Sequence, residues 1–461
     1  MPDYTRAPSM SRSALVLLVA LALRAQAEGP PLLEHGFALD APADVAATLT
    51  AACAGCDWGT RGHEAAALEL RIDGRYSQHL FLTRGAQAAE YHVALGRLDR
   101  GLHQLIVLFD AGRSGSEVRA AEVKAVAIAP AVGGSPDGAA LARAPILHAR
   151  PDTLGRFSDV PLLMWYEREP TARGVRTRYS VIFSNEDGGT PSDRLMATWG
   201  RLTDIEYVYG VELDGRGRVV SEEFQGRNHK LVPFSGRHEA AHPLLYVVTD
   251  NNMLDDHGEP TLRFALAPIP FDLANTSREA VMDVHPWTYR VSVAEARREG
   301  RIDEGARAGD RKIPDPQRFA TLEACAPAQD ATIAFSVGVR GPRGELRWFD
   351  SDGGRKEFRI ARRPHEFPTG CFRGAVALPA GVAAADVAGL RFRAFTRVAE
   401  KEEPPLPLGS GRARLRCVNT LFLLGPDDLP RPRLFSWRGD VPLVPEGPPF
   451  EIAITPSPTR R

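Results

Sequence analysis

Residues 68–82 read LELRIDGRYSQHLFL, and this stretch indicates the fold class of the chain. Apolar and polar residues alternate from Leu68 to Ile72, as they do in a strand with one buried face, and Asp73-Gly74 is a turn signal before the next apolar run. Two further runs around a glycine-containing turn follow from Tyr91 to Val107. The pattern predicts a β-sandwich over residues 28–130.

Strand patterns continue along the chain, and its 461 residues suffice for roughly two to four domains. We expect a mainly β, multi-domain protein with one helix, which the capping-box pattern Ser292-Val293-Ala294-Glu295 begins and which ends near Gly305 or Gly309. The predicted parts are the N-terminal β-sandwich (28–130), a linker rich in Gly, Pro and Ser (131–143), a central β-rich domain (144–290), the helix with a proline-containing linker (291–318), and a C-terminal β-sandwich (319–461).

The first 27 residues have the pattern of a signal peptide. Arg6 and Arg12 precede the apolar run Ala14–Leu23, and Ala25-Gln26-Ala27 fits a cleavage site. The run is shorter than the about 20 residues that span a bilayer, and no other segment is apolar enough to do so. We expect cleavage near Ala27 and a secreted or periplasmic protein without a transmembrane segment in the mature chain, with an uncleaved anchor as the alternative.

Composition and missing motifs exclude several classes of function. The net charge of −1 offers no basic surface, so nucleic acid is not expected as a partner. The chain has no G-x-S-x-G elbow, no P-loop and no G-x-G-x-x-G motif after a strand, which argues against lipase-type, nucleotide-driven and dinucleotide-dependent chemistry.

Five cysteines fit an oxidising compartment. Cys53 and Cys56 form a C-x-x-C pair that no helical pattern follows, so we predict a local structural disulfide rather than a redox site. A second bond is predicted between Cys371 and Cys417, which leaves Cys325 unpaired or paired with one of them.

The run His238-Glu239-Ala240-Ala241-His242 matches the H-E-x-x-H pattern of zinc hydrolases. That chemistry needs a helix, because only residues i and i+4 of a helix bring both imidazoles to one ion. Pro243 follows directly and disfavours helical backbone at His242, and the next residues, Leu244–Thr249, have the pattern of a buried strand. The sequence therefore favours a strand here.

A metal site outside a helix stays open as a hypothesis. His229, His238 and His242 fall close together in the sequence, and with Asp250 they could hold a divalent ion such as zinc or calcium. The alternative is a polar turn after a strand, where Asp and Asn prevail for backbone reasons.

Asp204 and Glu206 lie two positions apart in a predicted strand, so both side chains point to the same face, about 6–7 Å apart. Carboxylate pairs at such distances hydrolyse glycosidic bonds. A solvated strand face shows the same pattern, and it is the alternative.

Three aromatic residues, Trp165, Tyr166 and Trp199, are candidates for stacking on sugar rings. Aromatic residues at strand spacing also fill cores, which is the alternative.

The segment from about 144 to 258 resembles the vacuolar protein sorting-type family of uncharacterised β domains. The matching features are Ala144–Asp152, then Asp204-Ile205-Glu206 where that family has Asp-Trp-Glu, and His242–Val247. The middle tryptophan is absent, and Asn251-Asn252 matches the family's later glycine-x-histidine only loosely. The resemblance implies a β-rich domain and no assigned reaction.

We therefore expect an exported accessory or binding protein that recognises carbohydrate or another envelope component. The first alternative is a hydrolase in the central domain, with Asp204 and Glu206 or a metal held by the three histidines. The second is a structural scaffold that presents surfaces to a partner.

Overall fold

The computed structural model describes residues 29–150, 156–186, 188, 190–306, 311–361, 370–399 and 403–455. The predicted signal peptide lies outside these residues. The prediction of a mainly β protein is confirmed, because the described strands form six sheets. In this part of the chain, the helices are too short or too polar to cross a bilayer.

The N-terminal domain is a sandwich of two antiparallel sheets. Its strands are β1 (Leu33–Leu39), β2 (Ala43–Ala52), β3 (Ala67–Ile72), β4 (Arg75–Phe81), β5 (Ala89–Leu98), β6 (Gly101–Asp110) and β7 (Glu122–Pro130). The sheets have the strand orders β1-β6-β3-β4 and β5-β2-β7, and their facing side chains form an apolar core. The β3–β4 hairpin turns at Asp73 and Gly74, both with positive φ, as a tight two-residue turn requires.

Residues 131–143, predicted as a linker, contain the short helix α1 (Pro136–Leu141). Ser135 caps it, because its hydroxyl accepts a hydrogen bond from the Gly138 N–H. The carbonyl of Ala140 accepts a hydrogen bond of 2.8 Å from the Tyr179 hydroxyl. This contact ties the segment to the central domain.

The central domain consists of two sheets and three helices. Its strands are β8 (Ile146–His148), β9 (Pro161–Pro170), β10 (Gly174–Phe183), β11 (Asp204–Asp214), β12 (Val219–Gln225), β13 (Leu231–Pro233), β14 (His238–Glu239), β15 (His242–Val247), β16 (Leu254–Asp255), β17 (Arg263–Phe264) and β18 (Ile269–Pro270), and its helices are α2 (Ser192–Trp199), α3 (Ala280–Val284) and α4 (Trp287–Arg298). One sheet has the order β13-β12-β11-β10-β9-β18, and the other β14-β15-β8-β17, with β16 on β15. Strand β11 is buried on both faces from Asp204 to Glu212.

Helix α4 begins five residues before the predicted start at Ser292. It follows Pro286, whose fixed φ suits a helix start. The hydroxyl of Ser292 donates to the carbonyl of Tyr289, and the carboxylate of Glu295 accepts from the indole of Trp58. Neither side chain caps the helix, so the capping-box interpretation is wrong.

The C-terminal domain is a second sandwich. Its strands are β19 (Phe319–Cys325), β20 (Ala328–Gln329), β21 (Ala331–Arg340), β22 (Leu346–Asp350), β23 (Ile360–Ala361), β24 (Cys371–Ala377), β25 (Val387–Thr396), β26 (Arg412–Phe422), β27 (Phe435–Leu443) and β28 (Phe450–Ala453). The sheets have the orders β20-β26-β19-β24, with β27 on β26, and β22-β21-β25-β28, with β23 on β21. Trp199 and Leu195 of α2 pack into the apolar core between them.

One of the two predicted disulfides is confirmed, and the other is wrong. Cys53 bonds to Cys56, as predicted. Cys371 bonds to Cys325 and not to Cys417, which is a buried free thiol. The reason is strand order: β19 lies between β24 and β26, with Cys325 opposite both other cysteines. Two strand spacings of about 4.8 Å separate Cys371 from Cys417, too far for a disulfide.

Candidate functional site: a buried acidic centre

Asp204 and Glu206 are buried at the start of β11, with only 1% and 5% of their surface exposed. They lie opposite Phe183 and Val181 of β10, whereas β12 pairs with β11 only from Tyr209 onward. Side chains from more distant parts of the chain cover the two carboxylates. The interpretation of this strand face as solvated is therefore wrong.

Asp204 is held by an amide and faces a cation. The Asn252 Nδ2 group donates to its Oδ2 at 3.0 Å, and the same nitrogen lies 3.3 Å from Asp159 Oδ1 and 3.4 Å from the carbonyl of Asn185. Arg201 Nη1 lies 3.8 Å from Asp204 Oδ1. The Oδ1 atom of Asn252 is buried and has no hydrogen-bond partner among the described residues.

Glu206 connects the buried side of the site with solvent. Its Oε2 accepts a hydrogen bond from the Gln225 amide and lies 3.9 Å from His229 Nδ1. The His229 side chain is 42% exposed. Its Nε2 lies 3.2 Å from the Asn251 amide. The imidazole therefore contacts both the buried carboxylate and the solvent.

A third acid and further buried charges complete the site. The Oε1 atom of Glu186 accepts the Thr190 N–H at 2.8 Å. Arg201 Nε donates to Glu279 Oε1 at 3.3 Å. Within the described chain, the buried Glu279 Oε2 and Arg278 Nε have no hydrogen-bond partner. We call Glu186, Asp204 and Glu206, with Arg201, Asn252 and Arg278 around them, the acidic centre.

Burial raises the pKa of all three acids, and repulsion by Asp204 adds to the rise at Glu186 and Glu206. Burial is the larger cause in each case, because a low-dielectric surrounding disfavours the charged form. The charge of Asp204 further raises the pKa of Glu206 well above its usual range and that of Glu186 to about 8. Arg201 and Asn252 oppose the rise at Asp204. We therefore expect Glu186 to hold a proton at neutral pH, and the same causes favour the protonated form of Glu206.

Several residues with strained backbone conformations lie at this site. Of the eleven non-glycine residues with positive φ in the described chain, four lie in or beside the acidic centre: Asp159, Asn228, His229 and Asn252. Such conformations cost about 1 kcal/mol or more each and persist where function requires them. The unpartnered polar atoms and the strain point to the same place.

The four predicted metal ligands are not brought together. His238 and His242 lie in the β14–β15 hairpin, which confirms a strand in place of the zinc-site helix. His238 Nε2 lies 2.9 Å from Glu222, and His242 Nε2 lies 3.2 Å from Asp44. His229 contacts Glu206, and Asp250 pairs with Arg150. In the described residues, two other groups have ligand atoms close enough to share an ion: Glu69, His79 and Asp110, and Asp255, Asp256 and His257.

The three aromatic candidates are core residues. Trp165, Tyr166 and Trp199 are only 0%, 4% and 6% exposed. Trp165 packs among apolar side chains of the central domain, and the Tyr166 hydroxyl donates to Asp137. The prediction that these residues stack on a sugar is wrong, because their rings are covered by protein.

No protein-family model matches the chain, and no curated protein matches it. Among solved structures, the lectin from Pleurotus ostreatus in complex with GalNAc covers 81% of this chain and 80% of its own length at 9% identity. The TM-score of this match is 0.12, which is too low to show a shared fold.

Proposed function

We propose that the protein is an exported hydrolase that cleaves glycosidic bonds of an envelope carbohydrate at the acidic centre. One observation carries the proposal: Asp204 and Glu206 lie side by side in a buried network in which polar atoms of Asn252 and Arg278 have no partner among the residues that the structure describes. Each unmade hydrogen bond of this kind costs about 1–3 kcal/mol. Sugar hydroxyls could make these bonds once the side chains that cover the two carboxylates, of which His229 is 42% exposed, move aside to admit a substrate.

The two carboxyl groups are suited to different roles. Glu206 is the proton donor, since burial and the charge of Asp204 favour its protonated form and it lies beside the half-exposed His229. Asp204 is the base, since Arg201 and Asn252 favour its ionised form and offset part of the rise in its pKa that burial causes. In the proposed step a water oxygen bonds to the anomeric carbon while the bond from that carbon to the leaving oxygen breaks. The leaving oxygen takes the bonding electron pair and the Glu206 proton, and Asp204 takes a proton from the water.

Strand geometry favours one stereochemical outcome. Residues two apart on one face of a strand have Cβ atoms about 6–7 Å apart, and we take this spacing as that of the two carboxyl groups. Carboxyl groups about 6.5–9.5 Å apart leave room for a water molecule and invert the configuration of the sugar. We therefore propose an inverting mechanism.

Two features of the sequence support this proposal: the resemblance to a family of β domains and the signal-peptide pattern. The Asp204-Ile205-Glu206 run, which carries the likeness to the vacuolar protein sorting-type β domains, supplies both proposed catalytic residues. The pattern of the first 27 residues supports an envelope substrate.

The test is the release of reducing ends from peptidoglycan strands, polygalacturonate, galactan and β-glucan. We expect Glu206→Gln and Asp204→Asn to lower the rate by about 10²–10⁴-fold, the usual contribution of general acid–base catalysis. Glu239→Gln is the matched control, because Glu239 is an exposed acid of the same domain that pairs with Arg263. The proposal would be overturned if the wild-type protein released reducing ends from these polymers no faster than Glu206→Gln does.

A further inference from the structure

A cavity of about 510 Å³ lies between the N-terminal sandwich and helix α4. Trp287, Arg290, Val291 and Ala294 line one wall, and their spacing places them on one face of the helix. The loops 56–58 and 83–90 of the N-terminal domain form the other wall. Its volume is in the range of about 300–1,000 Å³ that small-molecule sites have, and such sites occur preferentially between domains.

We propose that this cavity binds an acidic saccharide, with Arg84 as the partner of the sugar carboxylate. The site is separate from the acidic centre, and the inference does not depend on the hydrolase proposal.

Arg84 is the main reason for an anionic ligand. Its guanidinium lies 3.9 Å from the ring centre of Trp287 and 5.4 Å from that of Tyr91. Its Nε is buried without a hydrogen-bond partner, and in the described chain no carboxylate lies within ion-pair distance of it. Burial lowers the pKa of this guanidinium more than the nearby Tyr91 and Glu90 raise it, which is the penalty for a half-buried charge that no acid contacts directly. A carboxylate would bind it through charge-assisted hydrogen bonds.

The other charges around the cavity favour the same class of ligand. Arg290 adds a second guanidinium to the wall, with its Nε on the carbonyl of Asp427. Glu90 is the opposing acid at the rim.

The acid Asp57 does not compete for Arg84. Its carboxylate already accepts hydrogen bonds from the Gly59 N–H at 3.0 Å and from the Thr60 hydroxyl at 2.6 Å. The carboxylate of Asp57 is therefore engaged within its own loop.

The apolar part of the wall favours a sugar ring over a compact anion. Trp287, Val291 and Ala294 form a surface against which the C–H face of a pyranose can pack. The Gln87 amide is exposed at the rim and can bond to hydroxyls. The opposite wall is fixed, because the Trp58 indole donates to Glu295 at 2.9 Å and Arg298 donates to the Trp58 carbonyl at 2.8 Å.

The experiment uses three matched pairs of sugars and the full chain. Binding of glucuronate, galacturonate and N-acetylmuramate is measured calorimetrically against glucose, galactose and N-acetylglucosamine, and benzoate serves as a ring-shaped anion that is not a sugar. We expect at least one acid to bind tenfold or more tightly than its neutral partner. Arg84→Gln should abolish that preference, Arg84→Lys should keep part of it, and Trp287→Ala should weaken both members of the pair.

Arg100→Gln is the matched control, because Arg100 is an exposed cation of the same domain away from the cavity. Equal binding of acid and neutral sugar, or a preference that survives Arg84→Gln, would overturn the role of Arg84. Binding of benzoate as tight as that of the sugar acids would overturn the saccharide class. Absence of binding by all six sugars would overturn the site. None of these outcomes measures the release of reducing ends. The binding experiment and the hydrolase experiment can therefore fail independently of each other.

Discussion

The ionisation of Glu295 measures how much a buried charge lowers the free energy of unfolding of this protein. Its side chain is fully buried on α4, and its carboxylate accepts a hydrogen bond from Trp58 in the N-terminal domain. Burial, followed by the charge of Glu299, raises the pKa of Glu295 from 4.5 to about 7. Below pH 4.5 the carboxyl is protonated in both the folded and the unfolded chain. Between pH 4.5 and 7 the unfolded chain loses the proton while the folded chain keeps it.

The free energy of unfolding should therefore fall across this interval. At about 1.4 kcal/mol per pH unit, the loss from this one group is about 3 kcal/mol. Glu295→Gln resembles the protonated acid, keeps an acceptor for Trp58 and has no proton to release. We expect the variant to match the wild type near pH 4.5 and to exceed its stability by about 3 kcal/mol at pH 8.

The assay is urea unfolding of both proteins at half-unit steps from pH 4.5 to 8. Only the difference between the two proteins is used, since the other titrating groups are common to both and cancel. A difference that stays constant with pH would refute the reasoning, because it would mean that Glu295 ionises alike in the folded and the unfolded chain.

Three further predictions concern the disulfide, a buried cation and a core tryptophan. Peptide mapping without reduction should recover Cys325 linked to Cys371, with Cys417 alkylated only after unfolding; a Cys371–Cys417 peptide would contradict the strand order. Arg373→Met should lower the free energy of unfolding by about 3–5 kcal/mol, because it leaves the buried Glu323 without its cation and removes the partner of the more exposed Asp283, and a urea-measured loss below 1 kcal/mol would contradict this. Trp165→Ala should cost about 3–5 kcal/mol in the same assay while sugar binding to the folded protein stays unchanged, as expected of a core residue.

Local periodicity was enough to predict the fold class, and the limits of that prediction have a physical cause. The alternation from Leu68 to Ile72 correctly gives a half-buried strand, and Pro243 correctly excludes a helix at the H-E-x-x-H run. Periodicity describes one strand at a time. The pairing of Cys325 depends on which strands are neighbours in a sheet, and neighbours in the sheet are about 50 to 90 residues apart in sequence here.

The acidic centre could be predicted in part. The spacing of Asp204 and Glu206 places both on one face of a strand, and they do lie together. What covers that face comes from elsewhere: Asn252 from the turn after β15, Glu186 from the loop after β10, and Arg278 from the segment before α3. In the sequence, Asn252 has the pattern of an ordinary turn residue, and only the tertiary fold shows its amide on Asp204.

Helix α4 contacts both proposed sites. The cavity could not be predicted, because the start of this helix was predicted five residues too late. With its first residue at Trp287, the helix has a stripe that faces the N-terminal domain, whereas a start at Ser292 removes Trp287 from the helix altogether. Its 12 residues span about 18 Å. At its far end, Glu299 accepts a hydrogen bond of 2.9 Å from Asn185, whose carbonyl lies 3.4 Å from Asn252 of the acidic centre. Helix α4 therefore lines the cavity with Trp287 and reaches the acidic centre through Glu299 and Asn185.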